Sequence, residues 1–384
     1  MDVRKLSKIM NGPLSEAHPF TWKLLGQSPL YEIGELNDDM YAAAMKENTI
    51  WHYEKNETYR AYCCHLKFDP RDLLESADIG RIPALSADLF KHFDLSGPHA
   101  PGALTVSSSG TSGRPTTLSL DEETIIRMWK MGRATFEAEG LVSLSPVHYL
   151  IFSADPKRSP HYGNSLFFSS LVEFAPAMDV TYAVEPASDG VFRLNHTKAI
   201  ELLQRASGAG EPVRIIGLPA LISSFAFDAP PGQVRLNPES LVLTGAGWKT
   251  NMHTAMSKTE FRDLLCQIWG LSHDRVRDLY GMTEHAVHYL DCPEHHFHAP
   301  IFSRVSIIDP LTCRPVREGE PGVIHLMNPG FTSMPLQSLK TADVGRTVLC
   351  ACGRKTPAFE LIGRGGRSRF RGCAATTLDR VRHA

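Results

Sequence analysis

The densest set of groups able to do chemistry lies in Val106-Ser-Ser-Ser-Gly-Thr-Ser-Gly-Arg-Pro-Thr-Thr-Leu118. Here Ser107, Ser108, Ser109, Thr111 and Ser112 bring hydroxyls, and Gly110 and Gly113 bring a permissive backbone. Glycine allows positive φ and close approach, so such loops can wrap phosphate oxygens with their N–H groups. No Gly-Lys-Ser/Thr follows at the spacing of a Walker A loop, which excludes that motif. A flexible linker and a phosphate cradle both stay open for this segment taken alone.

Further candidates follow along the chain: His161-Tyr162-Gly163, Thr244-Gly245-Ala246-Gly247, Leu279-Tyr280-Gly281-Met282-Thr283-Glu284, and Asp343 in Lys340-Thr-Ala-Asp-Val-Gly. Each has a plain structural reading as well. Glu284 would be a solvated acid, Tyr280 a core aromatic, Asp343 a turn residue, and His161 part of a loop.

Taken in order, these segments resemble the adenylate-forming superfamily, which includes acyl-CoA synthetases, luciferases and peptide-synthetase adenylation domains. Ser109-Gly110-Thr111-Ser112-Gly113-Arg114-Pro115 resembles its phosphate-binding signature, and Tyr280 to Glu284 its Tyr-Gly-x-Thr-Glu motif. Thr244 to Gly247 is similar to the segment that packs on adenine. Gly363-Arg364 with Arg371-Gly372 is similar to its hinge. Within the superfamily the chain resembles the short acyl-protein synthetases of the bacterial luciferase fatty-acid reductase system. The shared features are Ile82-Pro83, Leu89-Phe90-Lys91, the Ser-Ser-Gly-Thr loop, Gly247-Trp248-Lys249 and Arg371-Gly372-Cys373. The resemblance runs from about residue 80 to the C-terminus. Short relatives also occur in secondary-metabolite pathways, including the tailoring of phenazine acids, which adds antibiotic biosynthesis to the settings implied.

The resemblance implies ATP and Mg2+ as cofactors. Ser107 to Gly113 would hold the β- and γ-phosphates, Thr283 would touch the α-phosphate, and Glu284 would bind Mg2+ through a hard carboxylate oxygen. Gly245, Ala246, Gly247 and Tyr280 would face adenine, with Gly281 and Met282 in the same nucleotide motif. Asp343 would hold the ribose diol, Arg364 would mark the hinge, and His161 would orient the substrate carboxylate. Cys373, closely preceded by Arg364, Arg367, Arg369 and Arg371, would accept the acyl group as a thiolate. Two departures qualify this. Most relatives carry about a hundred further residues after the hinge, an ordinary small-domain size that supplies a catalytic lysine. Only twenty residues follow Arg364 here. Thr116 also stands where many relatives have lysine, so adenylation is expected to be slow or to need a partner protein.

A second constellation is Cys292-Pro-Glu-His-His-Phe-His298 with Cys350-Ala-Cys352-Gly-Arg354. Its ligand types suit Zn2+, as a Cys3His set of Cys292, His298, Cys350 and Cys352. The spacing matches no standard finger, and His-rich loops are more often polar surface.

The elements that must position these residues alternate in type. The first hundred residues read as mostly helical, with apolar positions through Ala42–Met45 and Tyr59–Leu66. Val147–Ser153, Val213–Ile216 and Leu241–Thr244 are short, apolar runs ending at Gly, Pro or Asp and followed by amphipathic stretches such as Thr254–Trp269. Buried parallel strands with crossover helices leave that pattern. From Arg304 the rhythm becomes short strands and turns (RVSIID, GVIHLMN, RTVLCA), which predicts a small antiparallel subdomain.

The expected class is therefore α/β: an adenylate-forming core of layered sheets plus a small β-barrel subdomain, with the C-terminal domain absent. The expected division is a helical segment 1–80, an adenylation core 81–300, a β subdomain 301–362, and a hinge remnant and tail 363–384.

With 40 basic and 42 acidic residues, no basic face for nucleic acid is indicated. No apolar run reaches membrane-span length, and the N-terminus lacks the apolar core of a signal peptide. Eight cysteines without such a signal point to free thiols and the cytoplasm. The expected partners are a small carboxylic acid, fatty or aromatic, and a reductase or acyl-acceptor protein. An aryl- or acyl-CoA ligase, and a relative that binds nucleotide or aromatic acid without turnover, are the competing functions.

Overall fold

The computed structural model describes residues 16–97, 104–107, 116–158, 163–187, 191–228, 232–245 and 256–364. They fall into two compact units. One is built from the chain up to Val106, Thr116–Glu139 and the chain from Gly281; the other is centred on Gly140–Tyr280.

The first unit opens with helices α1 (Pro19–Leu25), α2 (Glu35–Lys55) and α3 (Glu57–His65). Glu35 and Asp38 lie in the first turn of α2 and His52 and Lys55 in the last, matching the helix dipole at both ends. Asn56 ends α2 with an extended backbone and caps α3, its side chain accepting the Tyr59 N–H at 2.9 Å. The short strand β1 (Leu85–Ser86) follows. Strands β2 (Leu104–Ser107) and β3 (Thr117–Leu120) then pair as a ribbon that brackets the glycine-rich segment. Helix α4 (Glu122–Ala138) is capped by Asp121, which accepts the Thr124 N–H.

The second unit alternates strand and helix. In chain order come β4 (Val147–Ala154), α5 (Gly163–Ser170), β5 (Ala177–Pro186), β6 (Phe192–Leu194), α6 (His196–Ala209) and β7 (Val213–Gly217). They are followed by α7 (Pro219–Asp228), β8 (Leu241–Gly245), α8 (Lys258–Trp269) and β9 (Val276–Tyr280). Its strands lie in the order β9-β8-β7-β4-β5-β6, parallel except for β6. Strands β4, β7 and β8 are buried along their whole length, which is why their sequences read as unbroken apolar runs. A Cβ on Gly217 would stand 2.6 Å from that of Phe152 on β4, so only glycine fits that crossing. Helix α8 begins at Lys258. Ser257 caps it, and the Glu260 side chain completes a capping box.

The first unit resumes with β10 (Tyr289–Leu290), β11 (Phe297–His298), β12 (Arg304–Ile308), β13 (Gly322–Met327), β14 (Ser338–Val348) and β15 (Ala358–Arg364). Strands β11-β15-β14-β13-β12 form an antiparallel sheet, and β1 adds parallel to β14. RVSIID and GVIHLMN fall on β12 and β13. RTVLCA covers only the end of β14, whose earlier half alternates with Lys340, Thr341 and Asp343. The N-terminal helices are held onto this unit by side-chain bonds to its backbone. Asn48 Nδ2 donates to the Phe331 carbonyl at 2.7 Å, Trp51 Nε1 to Thr332 at 2.9 Å, and Tyr41 Oη to Met327 at 3.2 Å.

Candidate active site

In the second unit β4, β7, β8 and β9 end on one edge of the sheet, at Ala154, Gly217, Gly245 and Tyr280. The strand order reverses at β4, with β5 on one side and β7 on the other. Open α/β sheets bind ligands outside the carboxyl ends of their strands, at such a reversal. Gly245 pairs with Leu279, so Gly245 and Tyr280 sit at neighbouring strand ends.

A polar network ties those ends together. The Thr244 hydroxyl donates towards the Arg277 carbonyl at 3.2 Å and Asp278 Oδ1 at 3.0 Å. Lys258 Nζ holds Asp278 Oδ2 at 2.7 Å. Asp278 and Lys258 were not among the residues singled out from sequence. Asp278 directly precedes the Leu279-Tyr280 motif, which was the available signal.

Glycines of the two motifs differ physically. Among the described residues, the nearest atoms to an added Cβ at Gly245 belong to Leu279 and Phe168, at 3.6–3.7 Å, ordinary contact. At Gly281, in the first unit, it would stand 2.4 Å from His288 Cδ2. Tyr280 is buried, Met282 and Thr283 are half-buried in the turn that follows, and Glu284 is 8% exposed.

A proton-ordered chain runs from the residue next to Glu284. Ser303 Oγ donates to the Met327 carbonyl at 3.2 Å, so the Tyr289 hydroxyl must donate to Ser303, at 2.6 Å. Tyr289 oxygen therefore accepts from His285 Nε2 at 2.8 Å, which places the imidazole proton on Nε2. Burial, reinforced by His288 and His325, pulls the His285 pKa down to about 3, so the ring is neutral.

Asp343 is 5% exposed on β14, where its N–H donates to Thr341 Oγ1 at 3.1 Å. It lies opposite Arg364 of β15. Ser107 ends β2. Ser108, Ser109, Gly110, Thr111, Ser112, Gly113, His161, Ala246, Gly247 and Cys373 lie outside the described residues, as does the side chain of Arg364.

The cysteine and histidine constellation converges. Ligand atoms of Cys292, His298, Cys350 and Cys352 all lie within 4.8 Å of one another. Cys292 and Cys350 sulfurs are 3.5 Å apart, and Cys352 Sγ is 3.3 Å from His298 Nε2. Burial pushes the Cys292 thiol up to about 12 and raises that of Cys350.

The layered α/β unit and the antiparallel unit have the fold of the adenylate-forming class of ligase. In fold, the chain is similar to 2-hydroxyisobutyryl-CoA ligase in an open conformation with 2-HIB-AMP and CoA. The TM-score is 0.66 at 16% identity, covering 88% of this chain and 80% of that one. A model of the LuxE acyl-protein synthetase family matches residues 15–381, and the chain belongs to that family. It is 23% identical over 308 residues to the long-chain-fatty-acid–luciferin-component ligase of Aliivibrio fischeri, covering 78% of this chain and 77% of that protein. With the ligase of the same name from Vibrio harveyi it shares 24% over 330 residues, 84% and 83% of the respective chains. It is accordingly an adenylate-forming ligase.

Proposed function

We propose that this ligase activates a carboxylic acid as its acyl-AMP with the strand-end motifs around Gly245 and Tyr280–Glu284, and then passes the acyl group to a thiol. The observation that carries the reading is the placement of Thr244-Gly245 and Tyr280 at adjacent carboxyl ends of the parallel sheet, where Asp278 pairs with Lys258.

A carboxylate oxygen of the substrate attacks the α-phosphorus, and pyrophosphate leaves. The barrier is mainly charge repulsion, so positioning and hydrogen-bond donors supply most of the rate. In this reading Ser107–Gly113 cradles the β- and γ-phosphates, and Thr283 hydrogen-bonds the α-phosphate. Gly245, Ala246 and Gly247 let adenine lie against the backbone, and Tyr280 stacks on it, with Gly281 and Met282 shaping the turn. Asp343 accepts from the ribose hydroxyls. His161 orients the attacking carboxylate, and Arg364 marks the hinge. Glu284 has the hard oxygen donor that Mg2+ prefers, and Mg2+ bound there would offset phosphate charge.

In the second step a thiolate attacks the acyl carbonyl carbon, the acyl–phosphate bond breaks, and AMP leaves. Cys373 is the proposed acceptor, with a reductase or a further acceptor protein downstream. The seven described cysteines are all free, which suits a reducing cytoplasm. Among the described residues no helix is long and apolar enough to cross a membrane.

The test is carboxylate-dependent ATP–pyrophosphate exchange against a panel of fatty and aryl acids, with Glu284→Ala beside the unmodified protein. Exchange that requires one acid class and falls with Glu284→Ala supports the reading and names the substrate. ATP binding without exchange for any acid would point to a nucleotide binder without turnover.

A further inference from the structure

We propose that Cys292, His298, Cys350 and Cys352 form a structural Cys3His zinc site that pins the 350–354 turn to β11 and its preceding loop. The inference is independent of the adenylate chemistry.

The geometry comes first. A tetrahedral zinc with bonds of about 2.3 Å to sulfur and about 2.1 Å to nitrogen sets its ligand atoms about 3.6–3.8 Å apart. The Cys292–Cys350 and Cys352–His298 separations of 3.5 and 3.3 Å, with no pair beyond 4.8 Å, approach that tetrahedron on both edges measured. A disulfide would need sulfurs about 2.05 Å apart and would leave one of the three thiols over.

The histidine is prepared for the role. His298 Nδ1 lies 2.9 Å from the Thr356 carbonyl, which can only accept, so Nδ1 carries the proton. The lone pair on Nε2 then faces the sulfurs, the arrangement in which metal-bound histidines have their other nitrogen anchored. Each loop turns with a left-handed residue beside its ligands, His295 at φ +62° and Gly353 at φ +85°.

Donor type and number choose metal and role. Three thiolates and one imidazole select a soft or borderline ion over Mg2+ or Ca2+. Four protein ligands fill a tetrahedron and leave no position for a substrate, which makes the site structural. Cys292 and His298 are buried, Cys350 and Cys352 half-buried. The bond network would join residues that are 58 apart in sequence. Two positions beyond Cys352, Arg354 pairs with the buried Glu139 at the end of α4, and its guanidinium lies 4.2 Å over the Tyr31 ring. A metal-fixed turn therefore sets where that cation sits.

The experiment uses the full chain, purified under reducing conditions and dialysed against metal-free buffer. Elemental analysis is expected to find about one zinc per chain, and Co2+ exchanged into the site to show thiolate charge-transfer and tetrahedral d–d absorption. Cys352→Ser should abolish the cobalt spectrum, and Cys313→Ser, at an exposed thiol outside the cluster, should keep it. If Cys352→Ser does not fold, titration of the unmodified protein with a mercurial reagent decides. Zinc release in step with thiol modification supports the site, and thiol modification without zinc release overturns it. Unmodified protein that holds no stoichiometric zinc and takes up no Co2+ overturns it as well, as does full cobalt binding by Cys352→Ser. None of these readouts involves ATP.

Discussion

Replacing Gly281 with alanine is expected to damage stability and catalysis together, for a reason visible in one distance. The new methyl carbon would stand 2.4 Å from His288 Cδ2 and 3.1 Å from Nε2. Ordinary contact begins about 1 Å further out. His288 is half-buried, and burial lowers its pKa to about 4, so moving the ring aside disturbs the packing around it. Forcing a methyl into such packing costs about 1–3 kcal/mol. The same displacement moves Tyr280–Glu284, and if that motif acts in catalysis as proposed, about 1 Å of misplacement lowers turnover by about 100-fold. Urea melts would give the stability and ATP–pyrophosphate exchange the turnover. His288→Ala in the Gly281→Ala background removes the opposing atoms and should recover part of the stability, a coupling read by a double-mutant cycle. Wild-type stability for Gly281→Ala, or purely additive losses in the double variant, would refute the argument.

Other consequences can be measured separately. His148 is pulled down by burial but raised further by hydrogen bonds to Glu211 at 2.7 Å and Asp179 at 2.8 Å, and its pKa ends above the usual histidine value. Stability from its protonated form is full below the unfolded pKa near 6.5 and is lost as pH rises through the folded one. His148→Asn should therefore cost more stability at pH 5.5 than at pH 8.5 in paired urea melts, whereas an equal loss would discount the ion pairs. Glu139→Ala leaves the Arg354 cation without its buried carboxylate and should destabilise by about 3–5 kcal/mol, with loss below 1 kcal/mol counting against the pair. Cys373→Ser should abolish a hydroxylamine-sensitive acyl-protein while leaving exchange intact, and persistence of that adduct would exclude Cys373 as acceptor.

Local signals in this chain carried over into structure, and long-range ones did not. Val147–Ser153, Val213–Ile216 and Leu241–Thr244 were readable because strands buried on both faces leave unbroken apolar runs. Strand β5 mixes Asp179, Thr181 and Glu185 among its apolar residues, and its burial is partial, so the pattern was diluted. The first 80 residues read as helical but offered no clue to their packing. Their contacts are side chains such as Asn48 and Trp51 on the carbonyls of residues 331 and 332, nearly 300 positions away.

The candidate site divides in the same way. The Tyr280–Glu284 motif is contiguous, so its resemblance to a nucleotide motif could be read from the sequence. Two side-chain networks, Thr244–Asp278–Lys258 in one unit and His285–Tyr289–Ser303 in the other, depend on tertiary contacts that the sequence does not display. The cysteines and the histidine were legible as ligand types, but their convergence depends on the pairing of β11 with β15, which brings Cys292 and His298 to Cys350 and Cys352.

Gly245 and Gly281 make the last distinction. As letters they are equivalent, each a glycine within a nucleotide-type motif. Packing separates them: a side chain at Gly281 would have to displace His288, whereas the described neighbours of Gly245 leave room for one. An alanine at Gly245 should therefore leave the urea midpoint unchanged, because methyl contacts at 3.6–3.7 Å strain nothing. If ATP–pyrophosphate exchange nevertheless falls, the methyl obstructs what approaches that strand end. The fold does not require glycine there, so a selective loss of exchange would identify the requirement as the ligand's.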